Sequence, residues 1–422
     1  MLDIKFVREQ PDKVKEGVRK KGEDTSRVDE TIALDEQRRE LLQKSEALKS
    51  RKNTVSAEVA RMKSKGEDAS GLIAEMKIVA DSIKSLDDTL KTVEEKLNSA
   101  LLLIPNIPHP SVPVGRTPAE NKVVATWGDE PVIDFTPRPH WELVEKLNII
   151  DFARGTKITG AGFPVYIGKG AQLERALINF FLDEAAANGY TEVFPPLIVN
   201  AASATGTGQL PDKEDQMYVV TRDDLYLVPT AEVPVTNFYR DEILQAKQLP
   251  IRLCAYTPCF RREAGSYGKD VRGLNRVHQF NKVELVKFVR PETSYDELES
   301  LRQDAERLLQ KLGLKYHVLL MCSGDLGFTQ AMKYDLEVWA IGQKKWLEVS
   351  SVSNFESFQA RRMNIRFKPE GGGKPEIIHT LNGSALALPR VVAAILEQYQ
   401  TPEGKVVVPK ALHKYSGFEI IG

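Results

Sequence analysis

Residues 259–284 read Cys259-Phe-Arg-Arg-Glu-Ala-Gly-Ser-Tyr-Gly-Lys-Asp-Val-Arg-Gly-Leu-Asn-Arg-Val-His-Gln-Phe280-Asn-Lys-Val-Glu284. The two ends have the residue pattern of strands, and the middle is a loop dense in arginine with glycines at 265, 268 and 273. A strand, a long charged loop and a returning strand make an antiparallel hairpin. A solvated charged hairpin is the plain structural reading, but it explains the arginines poorly. Guanidinium is a planar, permanently charged fork suited to phosphate oxygens, and glycine lets a loop close over a ligand without steric conflict.

Outward from this hairpin, the pattern predicts further strands at Ile251 to Phe260, Phe280 to Phe288 and Leu336 to Val349, and helices at Ala171 to Asn188, Ser294 to Leu312 and Val391 to Gln400. Neighbouring strands joined by loops favour an α+β fold with an antiparallel sheet flanked by helices. The first hundred residues differ in texture, being rich in Glu, Lys, Arg, Ala, Leu and Ser. Leu72, Met76, Val79, Ile83, Leu86, Leu90, Val93 and Leu97 alternate spacings of four and three, which places them on one helical stripe. Leu34, Leu41, Leu48, Val55 and Met62 repeat every seven residues and form a second seam. The glycines and small polar residues from Lys63 to Gly71 mark a turn between them, so an antiparallel coiled-coil arm is expected. Prolines at 105, 108, 110 and 113 then end the helix and hold the chain extended. These features divide the chain into a helical domain at 1–100, a Pro-rich linker at 101–115 and a larger α+β domain at 116–422.

The 422 residues balance 58 Lys+Arg against 59 Asp+Glu, so nucleic-acid binding would need locally sorted charge. Within the arm the segment from Lys44 to Lys65 is basic and residues 67–98 are acidic. Taken alone, that sorting reads first as a solvated coiled-coil face and second as a surface for a phosphate backbone. Cys254, Cys259 and Cys322 form neither a disulfide framework nor a Cys-x-x-Cys pair, so buried thiols in a reduced compartment and no structural zinc are expected. No apolar run is long enough for a membrane span, and the N-terminus MLDIKFVREQ is charged, which predicts a cytoplasmic location.

Phe260-Arg261-Arg262-Glu263 followed by Val277-His278-Gln279-Phe280 and Val283-Glu284 resembles motif 2 of the class II aminoacyl-tRNA synthetases in its seryl form. Gly189-Tyr190 through Pro195-Pro196-Leu197 is similar to motif 1, the dimer-interface helix and strand. Thr380-Leu-Asn-Gly-Ser-Ala-Leu-Ala-Leu-Pro-Arg390 is similar to motif 3, and Thr230-Ala231-Glu232 resembles the serine-binding segment of the seryl enzymes. Four motifs in order are far more specific than any one of them.

The resemblance implies roles. Arg261 would hold the ATP α-phosphate and the serine carboxylate, and Glu263 would accept from the adenine amino group. Phe280 would stack on the ring and Arg262 would also bind ATP, while Arg276 and Arg390 would clamp the γ-phosphate. The segment Glu348-Val349-Ser350-Ser351 would touch ATP, with Glu348 and Ser351 as oxygen ligands of Mg²⁺. Thr230, Ala231, Glu232, Glu284, Asn382 and Ser384 would form the serine pocket together with Arg261. Arg261 and Arg390 are the residues expected to act on the reacting phosphates, and no Ser–His nucleophile is required. The implied activity is formation of seryl-adenylate from L-serine and ATP, then transfer to tRNA(Ser), with tRNA(Sec) a further acceptor, by a homodimer. Lys49, Arg51, Lys52 and Arg61 are candidate tRNA phosphate contacts. His278 is assigned no decisive step, and Arg361 and Arg362 are expected to form structural ion pairs. Pro389 stands where the seryl enzymes commonly have glycine; a proline is compatible with a first helical turn.

Overall fold

The computed structural model describes residues 1–264 and 272–422; the centre of the arginine-rich loop, with the glycines at 265 and 268, lies outside the described residues. Two compact units emerge. One comprises Leu2–Arg19 and Glu23–Pro105, the other Asn106–Gly422 with Met1 and Lys20–Gly22.

The first unit is dominated by helices α1 (Ser26–Ser64) and α2 (Ser70–Leu102), about 58 Å and 50 Å long at 1.5 Å per residue. They run antiparallel, because partners on the two helices move in opposite directions: Arg38 pairs with Glu94 at 2.9 Å, Lys49 with Asp87 at 3.0 Å and Arg51 with Glu75. Every residue of the two predicted stripes is buried or half-buried. At the reversal, Gly66 adopts a left-handed conformation (φ 74°) and Asp68 accepts from the Ser70 amide at 2.9 Å, satisfying a free donor at the start of α2. Lys49 and Arg51, two of the four candidate phosphate contacts, thus spend their charge on carboxylates of the opposite helix.

The second unit is built on an eight-stranded sheet: β1 (Lys122–Trp127), β2 (Thr191–Glu192), β3 (Ile251–Phe260), β4 (Gln279–Val289), β5 (Tyr316–Leu320), β6 (Met332–Ala340), β7 (Lys345–Asn354) and β8 (His379–Ala387). Their order is β1-β5-β6-β7-β8-β4-β3-β2, antiparallel throughout except for β2 beside β3. The predicted Leu336–Val349 run is in fact parts of two strands, β6 and β7. The chain reverses at 341–344, where Lys344 takes φ 54°, and the signal passed over was Gly342 in the middle of the run.

Helices α3 (His140–Leu147), α4 (Lys169–Ala187), α5 (Ser294–Leu312) and α6 (Leu388–Gln398) contribute to one apolar core with the sheet. In α5, Leu298, Leu301, Ala305, Leu308, Leu309 and Leu312 recur at helical spacing and are buried, each leucine contributing about 1.5–3 kcal/mol. Asp296 and Glu297 in its first turn and Lys311 in its last complement the helix dipole, and Gly313 (φ 66°) closes it.

Candidate active site

The described part of the arginine-rich hairpin lines a cavity of about 490 Å³. Its strands pair in register, Cys259 opposite Phe280, Thr257 opposite Lys282 and Ala255 opposite Glu284. Alternation along β4 turns Phe280, Lys282 and Glu284 toward the cavity and Asn281 and Val283 away from it.

At the Phe280 end, the Arg261 guanidinium lies 5.0 Å from the ring centroid and its Nε donates to the Pro229 carbonyl at 3.2 Å. Glu263 pairs with Arg276 at 3.0 Å. Arg390, in the first turn of α6, donates from Nη1 to the Glu348 carbonyl at 2.7 Å and from Nε to the Asn275 carbonyl at 3.2 Å. Pro389 sits in that same first turn and also lines the cavity, so the proline leaves the helix start intact.

At the Glu284 end, one carboxylate oxygen accepts from Ser384 Oγ at 3.3 Å and Thr230 Oγ1 at 3.4 Å. Lys282 Nζ sits 2.5 Å from that oxygen and donates to Thr230 Oγ1 at 2.7 Å. Glu232 is held by Gln359, whose Nε2 donates at 2.6 Å. Burial and the nearby Glu284 charge raise the Glu232 pKa, against the Gln359 hydrogen bond.

Glu348 and Ser351 share a face only because β7 is irregular. In β7, Ser351 pairs with Asp335, Ser350 with Leu336, and Glu348 with Glu337, so Val349 is an extra residue with no partner of its own. Without that bulge, residues three apart on a strand would point to opposite faces. With it, Glu348 and Ser351 both stand on the Asp335 side and line the cavity, a hard-oxygen pair of the kind that holds Mg²⁺ beside a nucleotide. Although the Glu348 side chain is 46% exposed within the cavity, the protein packed around its carboxyl acts to raise the pKa. The charges of Arg390, Lys333, Arg261 and Lys282 outweigh it and hold the carboxyl below its ordinary value. Asp335 is pushed up to about 7 by burial, opposed by Lys333 at 3.1 Å and reinforced by Glu348. Among the described residues no group of three or more His, Cys, Asp or Glu is placed to hold a metal ion, and all three cysteines are free and buried.

Arg261, Glu263, Arg276, Phe280, Glu348, Val349, Ser350, Ser351, Arg390, Thr230, Glu232, Glu284, Asn382 and Ser384 therefore meet around one cavity. Arg262 and Ala231 do not line it: the Arg262 amide donates to the Gln216 carbonyl at 2.9 Å, and Ala231 is fully buried in a neighbouring apolar cluster. His278 is a structural residue, with Nδ1 donating to the Arg261 carbonyl at 2.9 Å and the ring stacked on Phe163. Arg362 is structural too: it donates to the Thr205 and Leu210 carbonyls at 3.0 and 3.2 Å and lies over the Phe358 ring, with the Asp212 charge acting on it. Sequence reading missed Lys282, Lys333 and Asp335. Alternation from Phe280 to Glu284 would have found Lys282; the other two carry no signal until the β6–β7 register is known.

Known proteins resemble this chain along its whole length. The domain family described as "Seryl-tRNA synthetase N-terminal domain" matches residues 1–108, and "tRNA synthetase class II core domain (G, H, P, S and T)" matches residues 218–399. The serine–tRNA ligase of Salinibacter ruber is 54% identical over 425 residues, covering 100% of this chain and 99% of its own. That of Carboxydothermus hydrogenoformans is 56% identical over 422 residues, with the same coverage. Among solved structures, seryl-tRNA synthetase from Pyrococcus horikoshii complexed with ATP superposes with a TM-score of 0.95 at 39% identity, covering 100% of this chain and 99% of that one. Cytoplasmic serine–tRNA ligase from Naegleria fowleri in complex with AMP gives 0.89 at 29% identity, covering 100% and 98%. With more than half its residues shared along the whole length of these ligases, and two domain families matched in order, the chain belongs to the seryl-tRNA synthetase family.

Proposed function

We infer that this chain is a serine–tRNA ligase that condenses L-serine with ATP to seryl-adenylate and pyrophosphate, then esterifies serine to the 3′ end of tRNA(Ser), and of tRNA(Sec) where that is present. One observation carries the reading: a single strand, β4, presents a ring, a cation and a carboxylate toward one cavity, with arginines at the ring end and hydroxyl-reading groups at the carboxylate end.

The serine carboxylate attacks the α-phosphorus, a P–O bond to it forms, and the P–O bond to the departing pyrophosphate breaks. No protein nucleophile intervenes. Phe280 and Glu263 hold the adenine, by stacking and by accepting from its amino group. Arg261 faces the α-phosphate and the serine carboxylate, where charge spreads in the transition state, while Arg276 and Arg390 grip the leaving end. Glu348 and Ser351 would hold Mg²⁺, which when bound offsets phosphate charge as a Lewis acid. Glu232 and Glu284 receive the serine ammonium, and Thr230, Asn382 and Ser384 read its hydroxyl. Alanine would strand those buried groups, a loss of up to about four to five orders of magnitude; threonine is excluded by space.

The helical unit suits tRNA. We place its acceptor-recognising role on α1 and α2, and assign the pairing of two chains to the segment 189–197 that resembles motif 1. A reducing cytoplasm fits the three buried thiols. No helix among the described residues is long and apolar enough to cross a membrane. The deciding experiment is ATP–pyrophosphate exchange across serine, alanine, threonine and glycine with Mg²⁺ present. Serine alone should support turnover, and exchange indifferent to the amino acid would overturn the reading.

A further inference from the structure

We propose that a buried His140–Glu397 pair, with Trp141 and Gln343, is a positioning anchor that fixes the returning limb of the arginine-rich loop and thereby sets Arg276 and Arg390 at their places on the triphosphate. The proposal rests on the assignment of those two arginines to the leaving phosphates.

Residues 272–276 are gripped one after another. The Arg272 guanidinium lies over the Trp141 ring, 4.8 Å from its centroid. Gly273 (φ 64°) presses so closely on His140 that a Cβ there would stand 2.2 Å from its Nε2. The Leu274 amide donates to that same Nε2 at 2.9 Å, and Leu274 is 1% exposed. Asn275 Nδ2 donates to Gln343 Oε1 at 2.8 Å while its carbonyl accepts from Arg390 Nε. Arg276, next in sequence, closes on Glu263.

Behind this limb the anchor is tied down from three elements. A ring nitrogen that receives an N–H carries no proton, so the His140 proton sits on Nδ1 and is donated to Glu397 Oε1 at 2.9 Å. Both side chains are fully buried. Glu397 accepts four further bonds: from the His140 amide at 2.9 Å, Gln343 Nε2 at 2.7 Å, and the Gly342 and Gln343 amides at 2.9 and 3.2 Å. A carboxylate that satisfied is a rigid post. It joins the start of α3, the end of α6 and the β6–β7 turn, and α6 is the helix whose first turn carries Arg390. Both triphosphate arginines are thus referenced to one buried point.

The test measures ATP affinity by calorimetry without amino acid, and serine-dependent pyrophosphate exchange, on wild type, His140→Leu, His140→Gln, Gln343→Ala and Arg390→Ala. The anchor predicts that His140→Leu lowers kcat/KM for ATP by up to about 100-fold, as an ångström-scale misplacement does, with KM for serine unchanged. His140→Gln, which keeps an acceptor for the Leu274 amide, should lose less. Gln343→Ala, a half-buried change that leaves the pair in place, should weaken ATP severalfold and preserve the melting temperature. Equal losses for ATP and serine, or folded variants with wild-type ATP affinity, overturn the anchor. Should His140→Leu fail to fold, Gln343→Ala and His140→Gln decide. Arg390→Ala with wild-type ATP affinity would instead remove the arginine assignment, and wild type that binds ATP but ignores serine would remove the amino-acid assignment while leaving the affinity comparison intact.

Discussion

Arg261, Lys282 and Glu174 behave differently although each is a charged side chain in or beside the same sheet. Arg261 lies over the Phe280 ring and lines the cavity, so Arg261→Ala should abolish single-turnover adenylate formation while leaving the circular dichroism spectrum unchanged. Lys282 is 7% exposed at its side chain and lies between Thr230 and Glu284. Lys282→Met leaves the Glu284 charge without its nearest counter-ion and should lower kcat/KM for serine by about 10- to 100-fold, with KM for ATP unaltered; an unchanged serine KM would show that Glu284 keeps its place alone. Glu174 in α4 is buried, accepts from Asn281 at 3.0 Å and has its pKa raised to about 7 by burial against that hydrogen bond. A carboxyl whose folded pKa lies above its unfolded value binds a proton more tightly when folded. Stability is therefore full below about pH 4 and is lost as pH rises toward 7. Glu174→Gln should stabilise by about 1–3 kcal/mol at pH 8 in urea unfolding, the gain vanishing near pH 4. The residue scale is also where sequence reading reached its limit. Glu348 and Ser351 stand together because Val349 is bulged, and a pattern of period two would have separated them. Only the resemblance placed them in one site.

At the scale of elements, legibility followed periodicity. The stripes of α1 and α2 were readable residue by residue because a long helical pair has no other apolar face to hide. Ile83 is buried in that seam, so Ile83→Asp should cost the hairpin about 3 kcal/mol and lower the helical signal at 222 nm, with pyrophosphate exchange retained. Charge along the same helices was less readable. The basic bias of α1 is partly cancelled by Asp87 and Glu75 across the hairpin, partners that become visible only once the two helices are set in register. Short apolar runs were the weakest point: Leu336–Val349 has strand composition from end to end, and only Gly342 betrays the reversal.

For the whole molecule, the strand order β1-β5-β6-β7-β8-β4-β3-β2 brings together Thr230, Arg261, Glu284, Glu348 and Arg390, residues as much as 160 positions apart in the sequence. No local pattern encodes that order; it follows from which faces must be covered and which edges paired. One compact unit gives way to the other near residue 105, within the Pro-rich segment where the composition changes. Removing residues 30–98 should leave serine-dependent pyrophosphate exchange within about twofold of wild type and abolish tRNA charging; loss of both would show that the catalytic unit needs the hairpin to fold. The alternation of β4 has one last consequence. Phe280 and Glu284 are four residues apart on extended chain, about 13 Å at roughly 3.3 Å per residue, so the strand serves as a ruler whose marks are every second side chain. Inserting one residue between them would lengthen the ruler and also turn its far marks to the reverse side. Preference for the amino acid can therefore drift by exchanging what is mounted at one graduation, while the distance from purine to carboxyl stays calibrated by the backbone itself.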